Sequence, residues 1–255
     1  MHIVTDESIV SKLHINLSQS SSSTHHHLNN LAPLKTYCNP PNMNPAHLPL
    51  GKQLPHLRKT LSTNGTLLRV LSHAQELALP NWYLAGGAVS QTIWNSVSGL
   101  PAETGISDYD LVYFDASDTS YEAEDAAIRR GRDVFAGVGA TAADVAADVE
   151  IRNQARVHLW YESRFGAPCP RHESVEAGID SWISTSAMIG VRLEAGGEWS
   201  VYAPRGLSDF YKMVVRPNPT VGDRRAYEQK ARRWLGIWKG LTVMPWPENQ
   251  TPLTF

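Results

Sequence analysis

The alternation of apolar and polar positions divides most of the chain into short predicted helices and strands. Apolar residues recur at steps of three and four from Leu57 to Leu77, which predicts a helical segment that ends before Pro80. Further on, short apolar runs predict strands, and longer amphipathic stretches predict helices. The predicted strands cover 82–85, 108–114, 148–151, 188–194 and 198–202, and the predicted helices cover 88–97, 121–135, 153–161, 207–214 and 224–239.

This mixture of elements predicts an α/β or α+β domain, in which helices flank a mixed β-sheet and the C-terminal part is helical. Residues 1–55 are rich in Ser, His, Asn and Pro and show little apolar periodicity. That composition is typical of a disordered low-complexity leader. The folded domain is therefore expected at 56–255.

Composition and charge narrow the functions to consider. The chain has 255 residues, of which 42% are hydrophobic, and a formal net charge of −2. This balance argues against bulk electrostatic capture of a long nucleic acid and favours a small acceptor, although a local basic patch stays open. Cys38 and Cys169 are far apart and form no zinc-type pair. No apolar run is long enough to cross a membrane, so a cytoplasmic or other intracellular location is expected.

The candidate chemistry is concentrated in two short motifs. Gly86 and Gly87 follow a predicted strand and precede a predicted helix, where backbone N–H groups can approach phosphate oxygens. Asp108 and Asp110 are two positions apart on the next predicted strand, so both carboxylates project from one face. Paired hard oxygen ligands are what Mg²⁺ selects. The structural alternatives are a plain tight turn for the glycines and a capping role for Asp108.

A third carboxylate would complete a site for two divalent cations, which clamp the attacking and leaving oxygens of an in-line displacement. Asp148 and Glu150 are the candidates, and both lie on one face of a predicted strand. Either acid could instead pair with Arg152, and the periodicity does not choose between them. The glycine turn itself lacks both the GxGxxG spacing and the P-loop lysine.

The order of these motifs resembles the nucleotidyltransferase fold of the DNA polymerase β superfamily. It is most similar to a family of small proteins labelled only as nucleotidyltransferases, over about 61–246. The motifs that carry this resemblance are NWYLAGG, SDYDLVYFD, EIRNQARVHLWYE and GLSDFYKMVVRPNP. The sequence GGAV at 86–89 is also similar to the GGxVRD motif of tRNA nucleotidyltransferases and bacterial poly(A) polymerases. There Ser90 and Gln91 replace Arg and Asp, which weakens a tRNA-directed function.

The resemblance implies that Asp108 and Asp110 bind two Mg²⁺ ions, with Mn²⁺ as a substitute, and that Glu150 rather than Asp148 completes the catalytic set. It implies transfer of a nucleoside monophosphate from a nucleoside triphosphate (NTP) to a hydroxyl, with release of pyrophosphate. The acceptor, whether small molecule, protein or nucleic acid, is left open. The candidate phosphate ligands are Gly86, Gly87, Ser90, Arg152 and Arg156.

Structural roles compete with several of these assignments. Ser90 can serve the helix N-terminus alone, and Arg152 and Arg156 can pair with nearby acids. Lys212 and Arg216 are weaker phosphate candidates, since a surface ion pair is their ordinary fate. The alternative function is a non-catalytic descendant of the fold that binds a nucleotide or a partner protein, and a phosphohydrolase comes third.

Overall fold

The computed structural model describes residues 15–16, 44–136, 138, 148–220 and 224–248. The helices are α1 (Leu50–Leu61), α2 (Gly65–Ala74), α3 (Gly87–Ser98), α4 (Tyr121–Val134), α5 (Tyr161–Phe165), α6 (Val175–Asp180), α7 (Ser208–Tyr211) and α8 (Arg224–Ile237). The strands are β1 (Ile15–Asn16), β2 (Tyr83–Ala85), β3 (Tyr109–Tyr113), β4 (Val149–Asn153), β5 (Gly190–Leu193), β6 (Trp199–Tyr202), β7 (Val214–Val215) and β8 (Thr242–Val243). Across these described ranges, no helix is both long and apolar enough to cross a membrane.

Six strands form the main sheet in the order β1-β6-β5-β2-β3-β4. Strands β3 and β4 are parallel, and the other neighbouring pairs are antiparallel. The predicted hairpin is confirmed as β5 and β6, and β7 and β8 form a separate two-stranded sheet. The predicted fold class, a mixed sheet flanked by helices, is therefore confirmed.

Alternation along the central strands sends side chains into cores on both faces of the sheet. Leu84 and Leu111 belong to the main core, together with buried residues of α1, α2 and α3. Ala85 and Val112 belong to a second core, to which α6 also contributes. Asp110 lies between Leu111 and Tyr109 in the sequence, so it shares the face of Val112. The site face is thus the one opposite the main core.

A cluster of tryptophans joins α8 to α3. The Trp94 ring packs edge-on against the rings of Trp234 and Trp238, with centroid distances of 5.7 and 5.2 Å. The Trp238 Nε1 donates a hydrogen bond to Asn95 Oδ1 at 2.7 Å. The same indole packs so closely on Gly105 that a Cβ there would lie 2.7 Å from it. These contacts fix α8 against the loop that leads into β3.

The N-terminal boundary of the domain differs from the prediction. Helix α1 begins at Leu50, so residues 50–55, which the composition assigned to the leader, are helical. One face of α1 is buried against the main core, and this burial outweighs the polar composition of the segment. Two other described parts of the predicted leader also form structure: Ile15–Asn16 form β1, and the 3₁₀ turn Pro45–His47 packs Ala46 into the main core. Residues 1–14 and 17–43 of the predicted leader lie outside the described ranges. The predicted helix beyond it breaks at Asn64, whose Oδ1 accepts a hydrogen bond from the Leu67 N–H and caps α2.

Two predicted helices are wrong in extent. At 153–161, β4 continues to Asn153 and is followed by a 3₁₀ segment, Gln154–Leu159, before the short α5. At 207–214, α7 has a single turn, because Val214 pairs instead with β8. In both places a strand pairing between distant segments competes successfully with a locally plausible helix.

Candidate active site

Three strands place the predicted site residues in one row. Backbone pairing sets Ala85 of β2 beside Asp110 of β3, and Asp110 beside Glu150 of β4. Paired residues on neighbouring strands project from the same face, and Asp108 lies two positions before Asp110, directly ahead of β3. We call Asp108, Asp110 and Glu150 the carboxylate row. The sheet register brings Asp110 and Glu150 together at one end of β3 and β4, and Asp108 directly precedes β3 at that end.

Asp110 shows the electrostatic consequence of this arrangement. Burial, together with the negative charges of Asp108 and Glu150, raises the pKa of the Asp110 carboxyl from 3.8 to about 7. The positive charges of Lys230 and Arg152 oppose this rise in pKa. Like charges held together in a partly buried site destabilise the ionised form unless a cation compensates them. The row is therefore short of positive charge.

The side chains of the row do not form a closed cage. Within the ranges that the structure describes, no group of three or more His, Cys, Asp and Glu side chains stands ready to hold a metal ion. The Glu150 side chain is 43% exposed, and its Oε2 accepts a hydrogen bond from Arg152 Nη2 at 3.3 Å. The donor set nevertheless fits Mg²⁺ in its chemistry, because it consists of carboxylate oxygens whose mutual repulsion a divalent cation would relieve.

The register also separates the two candidates for the third carboxylate. Glu150 lies directly beside Asp110. Asp148 is exposed and precedes β4, and its backbone carbonyl accepts a hydrogen bond from the Tyr109 N–H at 2.8 Å. Of the two acids, Glu150 is therefore the one whose strand position adjoins the partly buried Asp110.

The glycine turn directly follows Ala85, the residue of β2 that pairs with Asp110, and it begins α3. Gly86 has φ +70° and ψ −129°, a conformation that L residues rarely adopt, and a Cβ on it would lie 2.1 Å from the Trp182 ring. Gly86 is also the N-cap of α3, so no side chain caps this helix, and its first turn contains no acidic residue. The positive end of the α3 dipole and its first N–H groups are thus left for an anion beside the row.

The two residues that depart from the GGxVRD pattern face inward. Ser90 is 2% exposed, and its hydroxyl donates a hydrogen bond to the Gly87 carbonyl at 3.2 Å. Gln91 is 4% exposed, and its Oε1 has no hydrogen-bond partner among the described residues. The Ser90 hydroxyl therefore serves the helix, which is the structural alternative to its predicted phosphate role.

Arg156 has a structural role too. It is 9% exposed and forms an ion pair with Glu124 of α4, which is also buried. Its Nε donates to the Thr119 carbonyl at 3.2 Å, and its guanidinium lies 5.9 Å from the centre of the Tyr121 ring. These contacts occupy the Arg156 guanidinium, the group predicted to bind phosphate. Arg152, by contrast, lies on β4 and forms an ion pair with Glu150 of the row.

Replacing Arg156 tests that structural role. We expect Arg156→Lys to lower the free energy of unfolding by about 1–2 kcal/mol, because lysine keeps the charge but loses the fork-shaped donor set and the ring contact. Chemical denaturation measures the change. The control is Arg129→Lys, which alters an exposed ion pair with Asp125 on the same helix and should change stability by less than about 0.5 kcal/mol. Equal losses in both variants would contradict the assignment.

The remaining predicted phosphate candidate with a charged partner is Arg216. Its Nε donates to Asp209 Oδ2 at 2.7 Å, and both side chains are partly exposed. Lys212 is exposed. Arg216 therefore forms a surface ion pair with Asp209, which is the structural alternative to a phosphate role.

Helix α8 also contributes charge near the row, which the sequence pattern did not indicate. Lys230 lies close enough to oppose the rise in the pKa of Asp110. The Arg233 Nη1 donates to Ser107 Oγ at 3.0 Å, across a separation of 126 positions. The sequence signal was only a helix rich in arginine and lysine, which is most often a solvated face.

The sheet order, the glycine turn and the carboxylate row together define a nucleotidyltransferase-like fold. The chain belongs to the nucleotidyltransferase family, whose model matches residues 72–243. A structure solved by NMR and described as a CCA-adding enzyme head domain is similar, with a TM-score of 0.59 and 23% identity over 75% of this chain and 95% of that one. At this identity the likeness concerns the fold. A comparison with curated proteins gives no match. The predicted enzyme class, a nucleotidyltransferase, is confirmed.

Proposed function

We propose that the protein moves a nucleoside monophosphate from an NTP to a hydroxyl acceptor, and that Asp108, Asp110 and Glu150 hold the Mg²⁺ ions that the reaction requires. The observation that carries this proposal is the strand register. It sets Asp110 of β3 beside Glu150 of β4 on one side and beside Ala85 of β2, the residue directly before the glycine turn, on the other. The family match covers every residue of this arrangement.

The residues of the chain divide the work of binding and proton transfer. The N–H groups that follow Gly86 donate to phosphate oxygens at the positive end of α3. Arg152 adds a positive charge beside the row. Bound Mg²⁺ supplies activation of the acceptor hydroxyl and neutralises charge on the pyrophosphate. Glu150 lies on the edge strand of the sheet and is partly exposed, so an acceptor can approach it.

The transfer itself is an in-line substitution at the α-phosphorus. The acceptor oxygen forms a bond to phosphorus while the bond from phosphorus to the bridging oxygen of the β-phosphate breaks. The hydroxyl proton passes to the Glu150 carboxylate, and pyrophosphate leaves with the electron pair of the broken bond. The acceptor is bound to the monophosphate at the end. Glu150, which is partly exposed, then releases the proton to solvent and returns to its carboxylate form.

Nucleotide binding is the first test. Isothermal titration of the wild-type chain with ATP, CTP, GTP and UTP in excess Mg²⁺ should give heat with at least one of the four. Asp108→Ala should weaken that binding about tenfold or more, because one metal ligand is lost. If no nucleotide binds, or if Asp108→Ala binds as tightly as the wild type, the proposed site is wrong.

Transfer is the second test, and it separates the enzyme from a non-catalytic binding protein. The hydrogen bond between Glu150 and Arg152 favours the non-catalytic alternative, since it engages the expected base. Incubation with an NTP labelled on the α-phosphate and a cell extract should move the label to an acceptor. Binding without any transferred label would support the alternative.

A further inference from the structure

Helix α8 brings positive charge to the carboxylate row from outside the sheet. Arg233 donates to Ser107, the residue that directly precedes Asp108. The tryptophan contacts with Asn95 and Gly105 hold α8 in this position. Because the helix is held at both its packing face and the loop, its near edge lies beside the segment that leads into the row.

Two cations share that near edge. Lys230 and Arg233 are three positions apart, which places them on one face of the helix. Two other sets of α8 residues lie elsewhere on the helix. The packing face contains Tyr227, Ala231 and Trp234, and a separate stripe contains Arg224, Glu228 and Arg232, in which both arginines contact Glu228.

Neither member of this pair forms an ion pair among the described residues. In the described part of the chain, Lys230 is exposed and has no hydrogen-bond or ion-pair partner. The Arg233 contact to Ser107 engages one donor of a guanidinium that has five, and the acceptor is a neutral hydroxyl. Both side chains can therefore still bind an anion at the row.

We propose that Lys230 and Arg233 bind the β- and γ-phosphates of the NTP, the part that leaves as pyrophosphate. This inference rests on the proposed function. Free cations beside a metal-binding carboxylate site are placed to meet oxygens that the metal ions do not fully neutralise. A small polyphosphate fits better than a polymer, because the pair is confined to one edge of α8 and the chain as a whole is slightly acidic.

Titration of single variants with an NTP and with the matching monophosphate tests the pair. In excess Mg²⁺, Lys230→Ala and Arg233→Ala should each weaken NTP binding about tenfold, the loss expected for one charge-assisted hydrogen bond. Binding of the monophosphate should change by less than about twofold, because it lacks the outer phosphates. Lys230→Arg should keep most of the NTP affinity, since it keeps the charge.

The matched control is Arg232→Ala, which removes the same charge from the same helix on the stripe that contacts Glu228. It should leave NTP affinity unchanged within about twofold. An equal loss in Arg232→Ala would show a diffuse charge effect and overturn the assignment, as would an equal loss of monophosphate binding. A wild-type chain that binds no NTP would sink the proposed function, whereas wild-type affinity in Lys230→Ala and Arg233→Ala would sink this inference alone.

Discussion

Asp110→Asn should lower the rate of nucleotidyl transfer by about 10³-fold and, at the same time, make the metal-free protein more stable above pH 7. The loss of rate follows because a neutral amide is a poor Mg²⁺ ligand, and several kcal/mol of charge stabilisation in the transition state disappear with the metal. The gain in stability follows because the substitution removes a carboxylate that the fold holds among like charges. Single-turnover transfer and thermal denaturation measure the two effects.

The pH range of the stability effect follows from the direction of the pKa shift. Folding raises the pKa of Asp110 from 3.8 to about 7, so between these values the folded state keeps a proton that the unfolded state has released. The stability of the wild type therefore falls as the pH rises through this window, and above about pH 7 the full penalty applies. We expect Asp110→Asn to recover about 1–3 kcal/mol at pH 8 and almost nothing at pH 4.

Two further measurements make this result specific. Mg²⁺ should raise the melting temperature of the wild type at pH 8 and leave that of Asp110→Asn nearly unchanged, because only the wild type keeps the complete carboxylate row. Asp148→Asn is the control, since it neutralises an exposed acid at the start of β4 and should alter neither the rate nor this pH dependence. A wild type and an Asp110→Asn variant with the same stability at pH 4 and pH 8 would refute the electrostatic description of the row.

Gly86→Ala should destabilise the protein by at least about 4 kcal/mol, the largest loss that we expect from a single methyl group. Two costs add in this variant. Alanine must adopt a backbone conformation near φ +70° and ψ −129°, and its Cβ would come within 2.1 Å of the Trp182 ring. The backbone at position 86 cannot shift easily to relieve either cost, because the Gly86 N–H donates a hydrogen bond to the Ile189 carbonyl at 2.9 Å. Urea denaturation measures the loss.

A second substitution separates the two costs. Combining Gly86→Ala with Trp182→Ala removes the overlap but keeps the strained backbone. The double variant should therefore lose less stability than the sum of the losses in the two single variants. Gly51→Ala is the control, because a Cβ at Gly51 meets nothing within 4 Å in an exposed position of α1. That variant should be stabilised by about 0.5–1 kcal/mol. If Gly86→Ala loses no more than a typical surface variant, the close packing of Trp182 on the turn is wrong.

Local patterns were enough for the elements around the site. Strand β2, helix α3 and strand β3 lie within a few residues of their predicted positions, because each has an apolar period that a single element satisfies. The same rule placed Asp108 and Asp110 on one face. The leader boundary failed because the polar composition of residues 50–55 hid a helix whose stability comes from packing against distant residues.

The sequence by itself determined the mixed fold, the glycine turn and two carboxylates that share a strand face, since all three follow from neighbours along the chain. Only the tertiary structure decided that Glu150 adjoins Asp110, that Arg156 forms an ion pair with Glu124, and that Lys230 of α8 places positive charge near the row. The physical reason is the same in each case. Strand register, buried ion pairs and helix docking join residues that are far apart in the sequence, and periodicity carries no information about which distant partner a side chain meets.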